Sequence, residues 1–190
     1  ISMIANIPNM VYLAPSNAEE YIAMLDWALD QDKHPVYIAI PSGPVVHAEG
    51  SVRTNFDNLN TYEVTREGSK VAVLALGDFY DLGEKTVEAL SSTLGIEATL
   101  VKPYFASGVD QNLLDNLVKD HDVIVTIEDG IIEGSWGQNI ASYLGTSSAR
   151  VLNYGVKKAF YDRVNIADLM RESHLEPELI AADVKQVLGL

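Results

Sequence analysis

The chain has 190 residues, 47% hydrophobic and 21% charged, and its 27 acidic against 13 basic side chains give a net charge of −14. That composition supports a packed core, and the negative field repels nucleic-acid phosphate with no Lys/Arg-rich run to overcome it. The lack of cysteine excludes disulfides, a thiolate nucleophile and Cys-ligated metal, while apolar runs such as Val71–Leu76 fall far short of the roughly 20 residues that cross a bilayer.

In chain order, the apolar run Met10–Ala14 reads as a strand ending at Pro15. Ser16 and Glu19 then have the spacing of a capping box, in which serine and glutamate satisfy the free amides of a helix start. Ala18, Tyr21, Ile22, Leu25, Ala28 and Leu29 recur at helical spacing and predict one buried stripe, broken at Asp32–Pro35. Val36–Ile40 is the next strand, closed by Pro41 and Gly43. A strand–helix–strand crossover joins parallel strands, which need helices on both faces. One crossover cannot supply that cover, so residues 1–48 are expected to be the C-terminal remnant of a larger α/β domain, and a first residue Ile1 in place of methionine agrees.

Periodicity fades between Val46 and Tyr62, among Gly50, Ser51 and the asparagines at 55, 58 and 60. Residues 49–65 are expected to be a linker. Residues 66–190 form the second domain, with Tyr62–Thr65 as a candidate edge strand at its entrance. Val71–Leu76, Ala98–Val101, Asp122–Ile127 and Val151–Tyr154 predict further strands. Helices are predicted between them: one capped by an Asp81/Glu84 box and stopped at Gly95, one capped by Asp110, and one after the glycines at 130, 134 and 137. Two terminal helices cover about 165–173 and 177–188. Strands alternating with helices give an α/β class: a three-layer α/β/α domain with a mainly parallel, five-stranded sheet, preceded by the partial α/β domain.

Candidate chemistry concentrates at strand C-terminal ends, where open α/β sheets bind ligands. Gly77–Asp78 and Gly130–Gly137 are glycine turns of the kind that can cradle phosphate. The second reads G-I-I-E-G-S-W-G, which matches neither dinucleotide fingerprint nor P-loop. Glu128, Asp129 and Glu133 could hold a divalent cation or act as acid and base, although carboxylates at a strand end more often cap a helix or solvate a loop. Trp136, a large aromatic in a glycine loop, reads as a residue buried against another chain or domain. No serine lies in a G-x-S-x-G elbow. His34, His47, His121 and His174 lack the i,i+4 spacing of helical metal ligands and read as surface or boundary residues.

Ile7-Pro8-Asn9-Met10-Val11, Ala14-Pro15 and Pro35–Gly43, followed in order by Val101-Lys102-Pro103, Val125–Gly130, Glu133-Gly134, Gly137 and Val151–Gly155, resemble the C-terminal part of the 1-deoxy-D-xylulose-5-phosphate synthases. That family lies within the thiamine-diphosphate-dependent transketolase superfamily, and the likeness covers nearly the whole chain. The resemblance implies that residues 1–48 end a pyrimidine-binding domain and that 66–190 are a transketolase C-terminal domain, serving packing and dimerisation. It also implies a cytoplasmic, homodimeric parent enzyme. With thiamine diphosphate and Mg2+, such an enzyme moves two-carbon units between sugar phosphate or keto acid substrates. The resemblance places the diphosphate and metal site in an N-terminal domain and the activating glutamate earlier in the pyrimidine-binding domain than Ile1, so no catalytic, cofactor or metal residue is expected in this piece. The family's Arg-Tyr-Pro-Arg-Gly string stands here as Ala39-Ile40-Pro41-Ser42-Gly43, without the arginine fork that would hold substrate phosphate, and leaves Ser42 as a substrate-side position. A stand-alone binding or interaction module, one subunit of a split transketolase, and a regulatory ligand near Gly77 and Gly130 are the competing expectations. A free-standing module would expose the strand edges of a half sheet.

Overall fold

The computed structural model describes residues 1–40 and 43–190. Among these residues there are two sheets. In the first, β1 (Val11–Leu13) pairs in parallel with β2 (Val36–Ile38) across the crossover helix α1 (Ala18–Asp30). The second has the order β3-β5-β4-β6-β7, with β3 (Glu63–Arg66) antiparallel at one edge beside β5 (Thr99–Lys102). The strands β4 (Lys70–Ala75), β6 (His121–Ile131) and β7 (Arg150–Val156) complete it, and all pairings other than β3–β5 are parallel.

Strand periodicity divides the core of the large sheet into two layers. Val71, Val73 and Ala75 of β4 and Val123, Val125 and Ile127 of β6 face α2 (Tyr80–Leu94) and α6 (Pro177–Leu188). Ala72, Leu74 and Ile124 point the other way, toward α3 (Gln111–Leu117) and α4 (Trp136–Tyr143). All nine strand residues are fully buried, as a parallel sheet covered on both faces requires. The short α5 (Ile166–Glu172) precedes α6. The predicted three-layer, mainly parallel five-stranded domain is the one observed.

The two sheets meet through a third core cluster. Val11 and Leu13 of β1, Met24 of α1, Phe56, Tyr104 and Phe105 pack together with at most 3% exposure each. Main-chain bonds reinforce the junction. Ala14 donates to Tyr104 O at 2.8 Å and Ala106 donates to Tyr12 O at 2.9 Å. Residues 49–62 contain neither helix nor strand, yet they are held firmly. The Arg53 guanidinium donates to Asn55 O (2.7 Å) and Thr61 O (3.0 Å) and lies 5.1 Å from the Phe56 ring centroid, a cation–π distance.

Several local expectations shift. The N-cap of α1 is Asn17, whose Oδ1 accepts from Glu20 N at 2.8 Å, one residue later than the predicted Ser16/Glu19 box. Ser16 instead donates its amide and hydroxyl to the Glu20 carboxylate, at 2.8 and 2.9 Å. The helix buries Glu20, Ala23 and Met24, so the predicted stripe is correct in period but turned outward: Ile22, Leu25 and Leu29 are 57%, 38% and 76% exposed. On the inward face Ala23 and Met24 pack beside Val11, Leu13 and Phe56, and Lys102 at the end of β5 binds Glu20 Oε1 at 2.7 Å. No Asp81/Glu84 box forms, because a 3-10 turn over Gly77–Phe79 leads directly into α2 and Asp81 pairs with Lys85 one turn on. Asp110 caps α3 by accepting from Leu113 N at 2.9 Å, and Gly95 ends α2 with φ +64°, both as predicted. β6 continues past Glu128 to Ile131, with a break in register after Ile127.

Candidate functional site

The C-terminal ends of β4 and β6 meet the ends of β1 and β2 around a cleft of about 50 Å³. Tyr12, Ala39 and Ile40 form one wall, and Leu76, Asp78 and Asp129 the other. This space is small beside small-molecule pockets, which run to roughly 300–1,000 Å³. Burial, then the nearby Asp129 charge, pushes the Asp78 carboxyl up. Burial also raises Tyr12 to about 12, with smaller effects from Tyr37, Asp129 and Asp78. The cleft therefore disfavours anions.

The three acids singled out in the sequence do not converge. Glu128 is 1% exposed and serves α4: its carboxylate accepts from Gly137 N at 2.8 Å, from the Trp136 amide and from the Ser135 hydroxyl. A carboxylate at a helix start satisfies free amides and complements the helix dipole. Gly137 makes the approach feasible, since a Cβ there would lie 2.5 Å from Thr126 Oγ1 and 2.9 Å from Glu128 Oε1. Asp129 is exposed on the cleft rim. Glu133, also exposed, accepts from Lys158 N at 3.0 Å. Among the described residues no three His, Asp or Glu side chains come together as a metal site. The Gly130–Gly137 turn is overlaid by the first residues, where Asn6 Nδ2 donates to Gly134 O at 3.1 Å. With Glu128 on the amides of α4, an incoming phosphate would meet a carboxylate.

Trp136 is fully buried in this chain's own core, because the first turn of α4 folds onto the sheet face. Its Nε1 donates to the Tyr62 hydroxyl at 2.8 Å, and Tyr62 in turn donates to Gly108 O at 2.8 Å. Ser42 lies outside the described residues. His121 departs from its expected surface or boundary place: it is 5% exposed at the start of β6, with Nε2 2.7 Å from Thr99 Oγ1 and Nδ1 2.8 Å from Leu117 O. Sequence reasoning missed the Glu20–Lys102 pair, whose side chains are 2% and 14% exposed. Its available signal was an isolated lysine ending a buried strand. Among the described residues, no helix is long and apolar enough to cross a membrane.

Glu128 yields a pH prediction with a definite sign. Burial raises its carboxyl above the ordinary 4.5 in spite of its donors. Between the unfolded and folded values the native state holds more protons, so this group's contribution to stability grows as pH falls through the folded value and levels off below the unfolded one. Denaturation of wild type and Glu128→Gln across pH 4–8 is expected to show a steeper rise toward low pH in the wild type, since Asp78 still titrates in both. Parallel pH profiles would rule out a desolvated carboxylate.

The Transketolase, C-terminal domain family model matches residues 60–180. The chain is 35% identical over 191 residues to a 1-deoxy-D-xylulose-5-phosphate synthase of Pseudoalteromonas translucida (strain TAC 125), covering 100% of this chain and 30% of that enzyme. The synthase of Clostridium tetani (strain Massachusetts / E88) is 27% identical, at 99% and 30% coverage. The chain thus spans about 30% of the length of these relatives. Among solved structures, a split gene transketolase described as an inactive beta4 tetramer superposes with TM-score 0.77 and 23% identity, covering all of this chain and 60% of that one. A transketolase mutant from Pichia stipitis gives TM-score 0.73 at 16% identity, covering 98% and 26%. On the family match and the fold together, the chain belongs to the transketolase C-terminal domain family.

Proposed function

We propose that this chain is the C-terminal portion of a thiamine-diphosphate-dependent enzyme of the deoxyxylulose-phosphate synthase or transketolase type, transferring two-carbon units, in which it serves packing and subunit association. The observation that carries this is colinear likeness along 99–100% of the chain to synthases of which it makes up 30%. In this reading residues 1–48 end the pyrimidine-binding domain, 49–65 connect, and 66–190 are the C-terminal domain of a cytoplasmic homodimer. The cofactor and its Mg2+ are held by other parts of the longer protein. The described residues do not fit a diphosphate, since Asp78 and Asp129 rim the strand-end cleft and Glu128 occupies the amides of α4. Without arginines at positions 39 and 42, the acceptor differs from one anchored by a guanidinium–phosphate fork.

A second reading, one subunit of a split enzyme, is favoured by the split gene transketolase whose chain this one covers to 60%. Intact mass of the native gene product, combined with a ketol-transfer assay, tests both. A product several hundred residues longer, with transfer that requires thiamine diphosphate and Mg2+, is the expected result. A product of about this length, active only with a second polypeptide, would establish the split enzyme. Failure to bind the cofactor in either form would end both readings.

A further inference from the structure

Among the exposed apolar surfaces of the described residues, two carry opposite charges. On α1, Ile22, Leu25 and Leu29 fall at i, i+3 and i+7 on the outward face, with Asp26 and Asp30 on the same stripe. Beside them an open groove of about 310 Å³ runs between α1 and Val52–Thr54, with Glu19 and Asp26 on its walls. A helix covering a sheet buries one stripe and presents polar residues on the other. Three aliphatic side chains on the outward stripe are the pattern of a contact face.

The second surface is the segment joining β7 to α5, in which every residue from 157 to 168 is exposed. Phe160 is fully exposed and Ile166 71% exposed, with Tyr161 and Val164 beside them. Lys157, Lys158 and Arg163 place three of the chain's 13 basic residues within seven positions, against Asp162 alone, in a molecule of net charge −14. An aromatic anchor inside a basic rim has the composition of an interface hot spot.

We propose that these surfaces are the two halves of a contact between copies of this chain: the 157–166 loop of one copy seats Phe160 against the outward face of α1 on the other, and reciprocally. The proposal deepens the self-association put forward above and rests on it. Charge complementarity selects the occupant. The loop needs an acidic, apolar surface, and α1 presents Asp26 and Asp30 among Ile22, Leu25 and Leu29. The overall charge of −14 opposes an anionic membrane as the alternative. Opposed charges at such a rim set register and exclude wrong partners.

The test uses the full gene product and two surface variants. Lys157→Glu/Lys158→Glu/Arg163→Glu gives a copy whose loop and α1 are both acidic, and Asp26→Lys/Asp30→Lys gives one in which both are basic. Each alone is expected to weaken self-association on the order of 10- to 100-fold by sedimentation, because like charges then face each other. Mixed, they are expected to form heterodimers selectively in native mass spectrometry, since every loop–helix pair is again of opposite sign. Association of either variant at wild-type strength, or a mixture that fails to recover it, overturns this contact while leaving self-association intact. A wild-type protein that stays monomeric at all concentrations removes self-association itself.

Discussion

Lys102→Met is expected to destabilise the protein by about 3–5 kcal/mol, the range for removing one partner of a buried ion pair. The Lys102 ammonium lies 2.7 Å from Glu20 Oε1 and 4.1 Å from the centroid of the Tyr80 ring, so it serves a carboxylate and an aromatic face together. Once it is removed, Glu20 stays 2% exposed, with Ser16 as its remaining side-chain and main-chain donor. A buried charge so poorly compensated costs more than the contact it has lost. Denaturant unfolding of Lys102→Met and of Glu20→Leu/Lys102→Met separates the two effects. The double variant should recover most of the loss, because a well-packed apolar pair of similar volume often matches or exceeds a buried salt bridge. Equal stability of wild type and the single variant would mean that the pair is solvated.

Truncation of Trp136 to alanine should have a comparable effect, about 3–5 kcal/mol, through the cavity left where the largest of the fully buried side chains stood. The indole packs with Ile140, Leu114 and the sheet residues of its layer, and it donates to Tyr62, which spans back to Gly108. Tyr62 keeps its bond to Gly108 O in the variant, so the expected loss is mainly one of packing. Trp136→Phe should therefore retain about half of the stability that alanine loses. Fluorescence gives an internal check. The other tryptophan, Trp27, is half-buried and donates to Asp57 at 2.9 Å, so the red shift on unfolding should shrink markedly in the Trp136 variants. Unfolding midpoints unchanged by Trp136→Ala would be incompatible with a sealed core at that site.

Local pattern made most of the second domain legible in the sequence. The run Val71–Leu76 is buried on both faces and needed no partner to be recognised, and Gly95 and Asp110 marked the end of α2 and the start of α3. The orientation of α1 was not legible. Ile22, Leu25 and Leu29 make the better apolar stripe, but the inward face packs Ala23 and Met24 against Phe56 and Phe105 and sets Glu20 on Lys102, 82 positions away, and no local window contains those partners. The same holds at the site. Three acids within six residues, Glu128, Asp129 and Glu133, looked like one cluster, yet strand alternation and the turn after Ile131 send Glu128 to the amides of α4 and Glu133 to Lys158. Trp136 could be marked as unusual, but only the fold supplies Tyr62, 74 positions earlier, as its partner.

One feature of the junction bears on how force passes through the molecule. β1 has neither edge free: β2 pairs along one side, and along the other Leu13 bridges to Phe105 while Tyr12 and Ala14 exchange main-chain bonds with the stretch after β5. A strand held on both sides resists shear, and the Phe56 ring, locked beneath Arg53, closes off the slack in the connecting segment. A hinge between the two sheets would have to break main-chain bonds and open an aromatic core at the same moment. In any larger assembly, then, a displacement applied at the end of β2 should reach α6 as the rotation of a single rigid lever, with the pivot lying at the contacts this body makes with its surroundings.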